Sequence, residues 1–364
     1  MKIFTFILSL LLLIPIKLHS EQDYSEFCRP RVIITSDFPP LDVIPCRGAT
    51  PDDPAEKCSD PDDVQSMVRL LLYSNTLEIE ALIATSGTFA NVANKHHILE
   101  ILDVYEEVQP NLAKHDPRYP TASELRSETW QGMDGAWGHP DFKVEPKPIE
   151  TLIGPDKDTE GSDAIIRIVD KEDERPVWVC VWGGSREVAQ AIWKVQMTRN
   201  PDELQTFLRK LRIFMIARQD GTADWLLNSF PELKIILSKR NYMGMFWNAS
   251  SKTEMVDLNW INENIRTNHG PLGAVYPQSG WDPAIPGQWE GDTPSFLYLV
   301  SAAYGINNPE LPNQESWGGQ FIQTDPNIDH WYDSPQGTIT VTKWRNDVQK
   351  DFLRRINWML PKEK

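Results

Sequence analysis

Short runs of apolar, mostly β-branched residues recur along this chain, and most are followed by apolar residues at helical spacing. Arg31-Val32-Ile33-Ile34-Thr35-Ser36 comes first, then Ile79 to Thr85, Val177 to Trp182, Leu211 to Ala217 and Leu233 to Leu237. Between them lie helical stripes: Val64, Met67, Val68 and Leu71; Ile98, Ile101, Leu102 and Tyr105; Val188, Ile192 and Val195. Strands with no polar alternation are buried on both faces, as in a parallel sheet covered by crossover helices. The pattern predicts an α/β fold: a doubly wound, mostly parallel sheet with helices on both faces. The segment 338–342 (TITVT) reads as a further strand, before a helix from about Asn346 to Met359. No composition shift marks a linker and no repeat is visible, so residues 21–364 read as a single domain.

Ligands of such sheets sit beyond the carboxyl ends of the strands. The residues found there are Asp37; Ser86-Gly87-Thr88-Phe89-Ala90-Asn91; Gly183-Gly184-Ser185; and Arg218-Gln219-Asp220-Gly221. Apart from Phe89 all are small or polar, although loops that cap helices are polar in any case. An insertion, residues 38–59, separates Asp37 from Asp60-Pro61-Asp62-Asp63. Long insertions at this edge often narrow access to a crevice, and this one is expected to cover one side of an acidic pocket.

The acidic residues are concentrated as well as numerous. Asp and Glu total 52 against 36 Lys and Arg, a net charge of −16. Phosphate binding needs a basic face, so a nucleic-acid partner is excluded. Asp37, Asp60, Asp62 and Asp63 fall near the start of one helix, and Asp292 opens another. A helix N-terminus favours each negative charge by about 0.3–1 kcal/mol, which accounts for one or two carboxylates. Four are better explained by a hard divalent cation such as Ca²⁺, which takes six to eight oxygens. Asp52 and Asp53 precede no amphipathic stripe and read as exposed loop.

The first residues read as an address. Lys2 precedes an apolar run from Ile3 to Ile16, broken by Pro15, with Ser20 at a plausible cleavage site. The run falls short of the ~20 residues that span a bilayer. Residues 1–20 are therefore a predicted signal peptide. Its removal takes away Lys2 and Lys17 and no acid. The expected product is secreted or periplasmic, without a membrane span. Export permits disulfides, and Cys46 and Cys58, which flank a proline-rich stretch, are expected to pair unless Cys28 takes one of them. Cys180 lies in an apolar run and is expected to be an inert buried thiol.

Several motifs together resemble the nucleoside hydrolases. Asp37 at a strand end, Asp62-Asp63 and the distant Asp292 resemble that family's metal-binding aspartates. Phe89-Ala90-Asn91-Val92 and Gln131-Gly132-Met133-Asp134-Gly135 resemble two of its loops. The likeness is closer to the nucleoside-hydrolase-like family of exported bacterial proteins, related to such domains in cellulose-binding proteins. That family is similar at residues 60–69 (DPDDVQSMVR), at Trp182-Gly183-Gly184, at Gly291-Asp292-Thr293-Pro294-Ser295 and at Trp317-Gly318-Gly319. The resemblance covers roughly residues 29–360. It implies calcium held by Asp37, Asp63, Asp292 and a main-chain carbonyl near Arg186. It implies sugar hydroxyls held by Asp62 and Asn91, and Asp37 as the base that activates a calcium-bound water. The implied activity is hydrolysis of an N-glycosidic or related glycosyl bond. Gln131 stands where the family has histidine, and the family's Glu-Phe-Asn sugar-binding segment has no equivalent.

Other candidates come from the residues themselves. Asp134, Asp220 and Glu290 are the available acids for a leaving group. Trp225, Trp281 and Trp289 lie in polar contexts and could stack on sugar rings, although core packing is the commoner use of tryptophan. The expected partner is a small glycoside or saccharide, with an oligomer possible. A catalytically weak or inactive carbohydrate-binding module on the same fold is the alternative. His96-His97 point apart on a helix, no Gly-x-Ser-x-Gly elbow supports serine-hydrolase chemistry, and Asn248-Ala249-Ser250 is a glycosylation sequon.

Overall fold

A computed structural model describes residues 29–90, 92–135, 137–247 and 255–361. The predicted signal peptide, Cys28, Asn91 and the sequon lie outside the described residues. The strands, in chain order, are β1 (Arg31–Ser36), β2 (Ile44–Pro45), β3 (Cys58–Ser59), β4 (Glu78–Ala84), β5 (Thr129–Gln131), β6 (Val177–Val181), β7 (Leu211–Ile216), β8 (Lys234–Ser238), β9 (Phe321–Gln323) and β10 (His330–Asp333). Eight of them form one sheet in the order β5-β4-β1-β6-β7-β8-β10-β9, and β2 and β3 form a separate pair. Every pairing in the large sheet is parallel except β9 with β10.

Each central strand feeds both faces. Val32 and Ile34 of β1, with Trp178 and Cys180 of β6, face one core, which also holds the helices α1 (Asp62–Leu72) and α2 (Lys95–Leu112). Ile33, with Val177, Val179 and Val181, faces the other, under helices Glu160–Val169 and Arg186–Thr198. Full burial stabilises each such side chain by about 1.5–3 kcal/mol relative to exposure. This two-sided burial is why the strands lack polar alternation. Cys180 is fully buried, and burial pushes its thiol up to about 12, so it is inert as expected.

The order places a topological switch at β1. The chain moves outward from β1 to β4 and β5, then returns to the other side of β1 as β6. The carboxyl ends of β1, β4 and β6 therefore open onto one crevice, where a doubly wound sheet binds its ligand.

Two sequence expectations are corrected. Residues 338–342 do not form a strand; Ile339–Thr342 is a helical turn. Only Thr340 and Val341 are buried while Ile339 is half exposed, and Thr342 Oγ1 donates back to the carbonyls of Thr338 and Gly244 at 3.0 Å each. The turn is thus satisfied without a neighbouring strand. Nor are Cys46 and Cys58 joined; both are free thiols. β2 and β3 run parallel with Ile44 opposite Cys58, which sets Cys46 two residues out of register. The Cys46 thiol instead faces the Phe89 carbonyl at 3.7 Å, and the Cys58 thiol the Pro54 carbonyl at 3.4 Å.

Candidate functional site

Asp37 leaves β1 directly into the crevice and is almost wholly buried, 2% exposed. Two glycines make room for it. A Cβ on Gly87 would lie 2.3 Å from Asp37 Oδ2, and one on Gly183 2.7 Å from Oδ1. The loops after β4 and β6 therefore close directly on this carboxylate, and only glycine permits the approach. Burial pushes Asp37 up to about 7, and the nearby Asp62 charge adds to this; backbone N–H groups of Asp37 and Ala90 pull the other way.

Asp62 and Asp63 stand in the first turn of α1. Asp63 is buried and accepts a hydrogen bond from Ser36 Oγ. Asp62 is half-buried and accepts from the Gly291 N–H at 3.0 Å. Asp60 Oδ1 accepts the Asp62 N–H at 3.2 Å. Asp292 comes from the far side of the sequence and directly precedes helix Thr293–Ala303. One oxygen each from Asp62, Asp63 and Asp292 lie within 4.8 Å of one another.

These carboxylates are poorly compensated by the protein. Burial is the largest cause pushing all four helix-start acids upward: Asp62 to about 6, and Asp60, Asp63 and Asp292 well above the usual carboxylate range, with their mutual repulsion adding. Asp292 sits at the helix-start position where an aspartate ordinarily caps, yet its side chain makes no capping bond. Its Oδ2 is buried and has no hydrogen-bond partner. Helix capping therefore does not account for this residue. An orphaned buried carboxylate oxygen beside two further carboxylates is a donor set suited to a hard cation. Asp37 is outside this closest trio but within its electrostatic reach, since it raises both Asp63 and Asp292.

The other candidates are placed differently. Asn91 lies outside the described residues. Asp134 is exposed and accepts the Ala93 N–H at 2.6 Å, which ties down the loop after β4. Gln131 serves the same loop, donating to the Ala93 carbonyl at 2.6 Å and accepting the Lys95 N–H at 3.0 Å. Asp220 is fully buried behind Gly184; its Oδ1 accepts from Thr222 N at 2.8 Å and from Thr222 Oγ1, and its Oδ2 is unpartnered. Arg186 turns its guanidinium away from the aspartates, onto Glu187 and the carbonyls of Leu152 and Lys157. The residue after β6 that reaches Asp37 is Gly183.

Glu290 was expected as an acid facing the ligand, but it is fully buried and both its oxygens are engaged. It pairs with Arg69 and accepts from Tyr276 Oη at 2.6 Å and Thr293 Oγ1 at 2.8 Å. Trp225 belongs to helix Thr222–Ser229, not a polar loop, and packs edge-on against Phe230 with centroids 5.2 Å apart. Trp289 stacks on Phe246 at 5.2 Å and is likewise committed to packing.

Two further residues border the site: Gln219, visible in the sequence only as part of the loop after β7, and Tyr242, which carries no sequence signal. Gln219 donates from Nε2 to the Trp182 carbonyl, and its Oε1 accepts the Thr88 N–H at 3.1 Å, bridging the loops after β4 and β6. Tyr242 packs its ring 3.4 Å from where a Gly291 Cβ would stand, beside Asp62. Burial and the charges of Asp62, Asp292 and Asp60 keep its phenol protonated. Gln219 lies on the loop after β7 and Tyr242 in the short helix Asn241–Met245, and only the folded sheet brings the two to the site.

The insertion packs beside the aspartates, with Cys46 within electrostatic reach of Asp60 and Asp37. Arg47 donates to Asp282, and its guanidinium lies 5.3 Å from the Trp281 ring centroid. Its N–H reaches the Trp281 carbonyl at 3.3 Å. With Cys46 against Phe89, the insertion spans from the loop after β4 to residues 281–282.

Residues 55–321 match the family model described as cellulose-binding Sde182, nucleoside hydrolase-like domain. No curated protein matches the chain. Among solved structures, the chain is similar to a nucleoside hydrolase-related hypothetical protein from Saccharophagus degradans that is associated with carbohydrate metabolism. Identity is 31%, over 92% of this chain and 73% of that one, with a TM-score of 0.71. A plant nucleoside hydrolase aligns at 14% identity, over 90% of this chain and 99% of that one, with a TM-score of 0.47. An inosine-uridine preferring nucleoside hydrolase from Bacillus anthracis aligns at 10%, over 91% and 100%, with a TM-score of 0.45. At those scores neither bears on the site.

Proposed function

Since the chain belongs to the family of Sde182 nucleoside-hydrolase-like domains, we propose that it is an exported hydrolase of a glycosyl bond in a small saccharide or glycoside, dependent on a divalent cation, with calcium the best fit. The observation that carries this reading is the convergence of one oxygen each from Asp62, Asp63 and Asp292, with a buried oxygen of Asp292 left unpartnered. Those three residues would hold the cation, with Asp37 beside them. When bound, the cation supplies positive charge that neutralises the cluster, orients sugar hydroxyls and makes water more acidic.

The chain's own residues supply the rest. Burial raises Asp37 in the metal-free protein; beside a bound cation it would return to the carboxylate, the form that takes a proton from water. The carboxylates around the crevice favour the positive charge that grows on the sugar ring as the glycosyl bond breaks. Gly87 and Gly183 hold the walls close to Asp37, which limits water around it. Asp62, oriented by the Gly291 N–H, would share its carboxylate between the cation and a sugar hydroxyl. For the leaving group, Gln131 is occupied by loop contacts and Glu290 by Arg69; the neutral phenol of Tyr242 is the nearby donor.

The second reading is a saccharide-binding module without turnover. It is favoured by the family's cellulose-binding description and by glutamine at position 131. A screen of nucleosides, glycosylamines and short glucans, with Ca²⁺ and with EDTA, separates the two. Hydrolysis that EDTA abolishes supports the enzyme. Calcium-dependent saccharide binding with no product in any assay supports the module.

A further inference from the structure

The aspartate cluster is assembled from segments far apart in the chain: Asp62 and Gly291, joined by a hydrogen bond, are 229 residues apart. Nothing local holds these segments together, and the carboxylates they carry repel. Three side chains on one face of α1 meet the incoming segment. Asp62, Gln65 and Arg69 are three and four residues apart, so they line up along the helix.

Gln65 is fully buried and uses both ends of its amide. Its Oε1 accepts the N–H groups of Trp289, at 2.6 Å, and Glu290, at 3.2 Å. Its Nε2 donates to the carbonyls of Pro277, at 2.8 Å, and Gly287, at 3.2 Å. One turn further, Arg69 forms a two-point pair with Glu290, both residues fully buried. Arg69 also donates to Gln349 Oε1 at 2.8 Å, and Gln349 donates to Gln288 Oε1 at 2.8 Å. Residues 287–291 are thus clamped to α1 at successive positions, and the clamp ends one residue before Asp292.

We propose that Gln65 and the Arg69–Glu290 pair are positioning residues for the cation site: they hold Asp292 in register with Asp62 and Asp63 and so set its affinity. This rests on the cation reading above. The physical argument is one of cost. A buried ion pair adds little net stability over an apolar replacement, because desolvation offsets attraction; what it provides is a geometry that cannot be left without exposing an unpaired charge. A site that brings three carboxylates within 4.8 Å needs such a restraint before a cation arrives. Misplacing one ligand oxygen by even a fraction of an ångström weakens a hard-cation site.

A merely structural role predicts something different, and a second buried glutamine separates the two. Gln190 is equally buried, accepts Gly154 N–H at 2.9 Å, and donates to Gly154 O at 3.0 Å and Asp158 at 2.8 Å, away from the aspartates. Ca²⁺ would be titrated calorimetrically into metal-stripped wild type, Gln65→Leu, Arg69→Lys and Gln190→Leu, with melting temperatures measured alongside. The expected result is a Kd raised at least tenfold in Gln65→Leu and Arg69→Lys. Gln190→Leu melts lower but keeps the wild-type Kd within twofold. Arg69→Lys keeps the charge, so it reports on the clamp even where Gln65→Leu fails to fold. Wild-type Kd in Arg69→Lys, or equal loss in Gln190→Leu, overturns the proposal. A wild type that binds no Ca²⁺ refutes the cation reading itself, and the positioning role with it.

Discussion

A carboxylate buried between Gly87 and Gly183 is costly to ionise, and Asp37 accepts that cost with a value pushed to about 7. Asparagine has the same shape and no charge. Asp37→Asn is therefore expected to leave the melting temperature of metal-free protein unchanged or higher at pH 8. Turnover should fall by about 10²–10⁴, the usual contribution of a general base. Retained turnover would remove Asp37 from the chemistry. The single residues were unevenly legible in the sequence. Asp62, Asp63 and Asp292 could be found because acids at helix starts exceed what capping explains. The engagement of Glu290 is invisible in the sequence, because its partner Arg69 is 221 residues away. The helix that carries Trp225 is not legible, because eight residues with polar neighbours show no clear period.

At the scale of elements, the central strands were legible because burial on both faces leaves no polar alternation to disguise them. The short strands β5, β9 and β10 are not legible: three or four residues long and only partly buried, they carry neither period nor length. The insertion was visible as an interruption after Asp37, but its anchors were not, since Arg47 meets Trp281 and Asp282 only through the fold. It meets the rest of the fold through contacts at Cys46 and Arg47 and contributes few buried apolar residues. Replacing residues 40–57 with a short Gly-Ser turn is expected to keep the fold and shift the melting temperature by only a few degrees. Saccharide affinity should weaken or its selectivity broaden, read by calorimetry over a ligand series. Loss of the cooperative melt would show that the insertion belongs to the core.

For the whole molecule, the acidic cluster links stability to pH. The carboxyls of Asp37, Asp60, Asp62, Asp63 and Asp292 all titrate higher folded than unfolded. Between about pH 4, the usual carboxylate range, and their raised values, the native chain holds protons the unfolded chain has released. Their effect on metal-free protein is therefore to lower stability as pH rises through about 6 and 7, the range set by Asp62 and Asp37. A bound cation favours the charged forms and reverses this slope. Melting temperatures in Ca²⁺ minus those in EDTA should be near zero at pH 5 and widen steadily to pH 8. A difference that does not change with pH would place calcium's effect elsewhere.

The most direct measurement is the titration of Ca²⁺ into EDTA-stripped protein at pH 7.5, wild type against Asp292→Ala. Asp292 supplies the one buried, unpartnered oxygen of the trio, so its loss removes a ligand without breaking a hydrogen bond at that atom. The account predicts saturable uptake of one ion by the wild type, and affinity at least a hundredfold weaker in a variant that still melts cooperatively. Absence of uptake by the wild type, or equal affinity in Asp292→Ala, would contradict it.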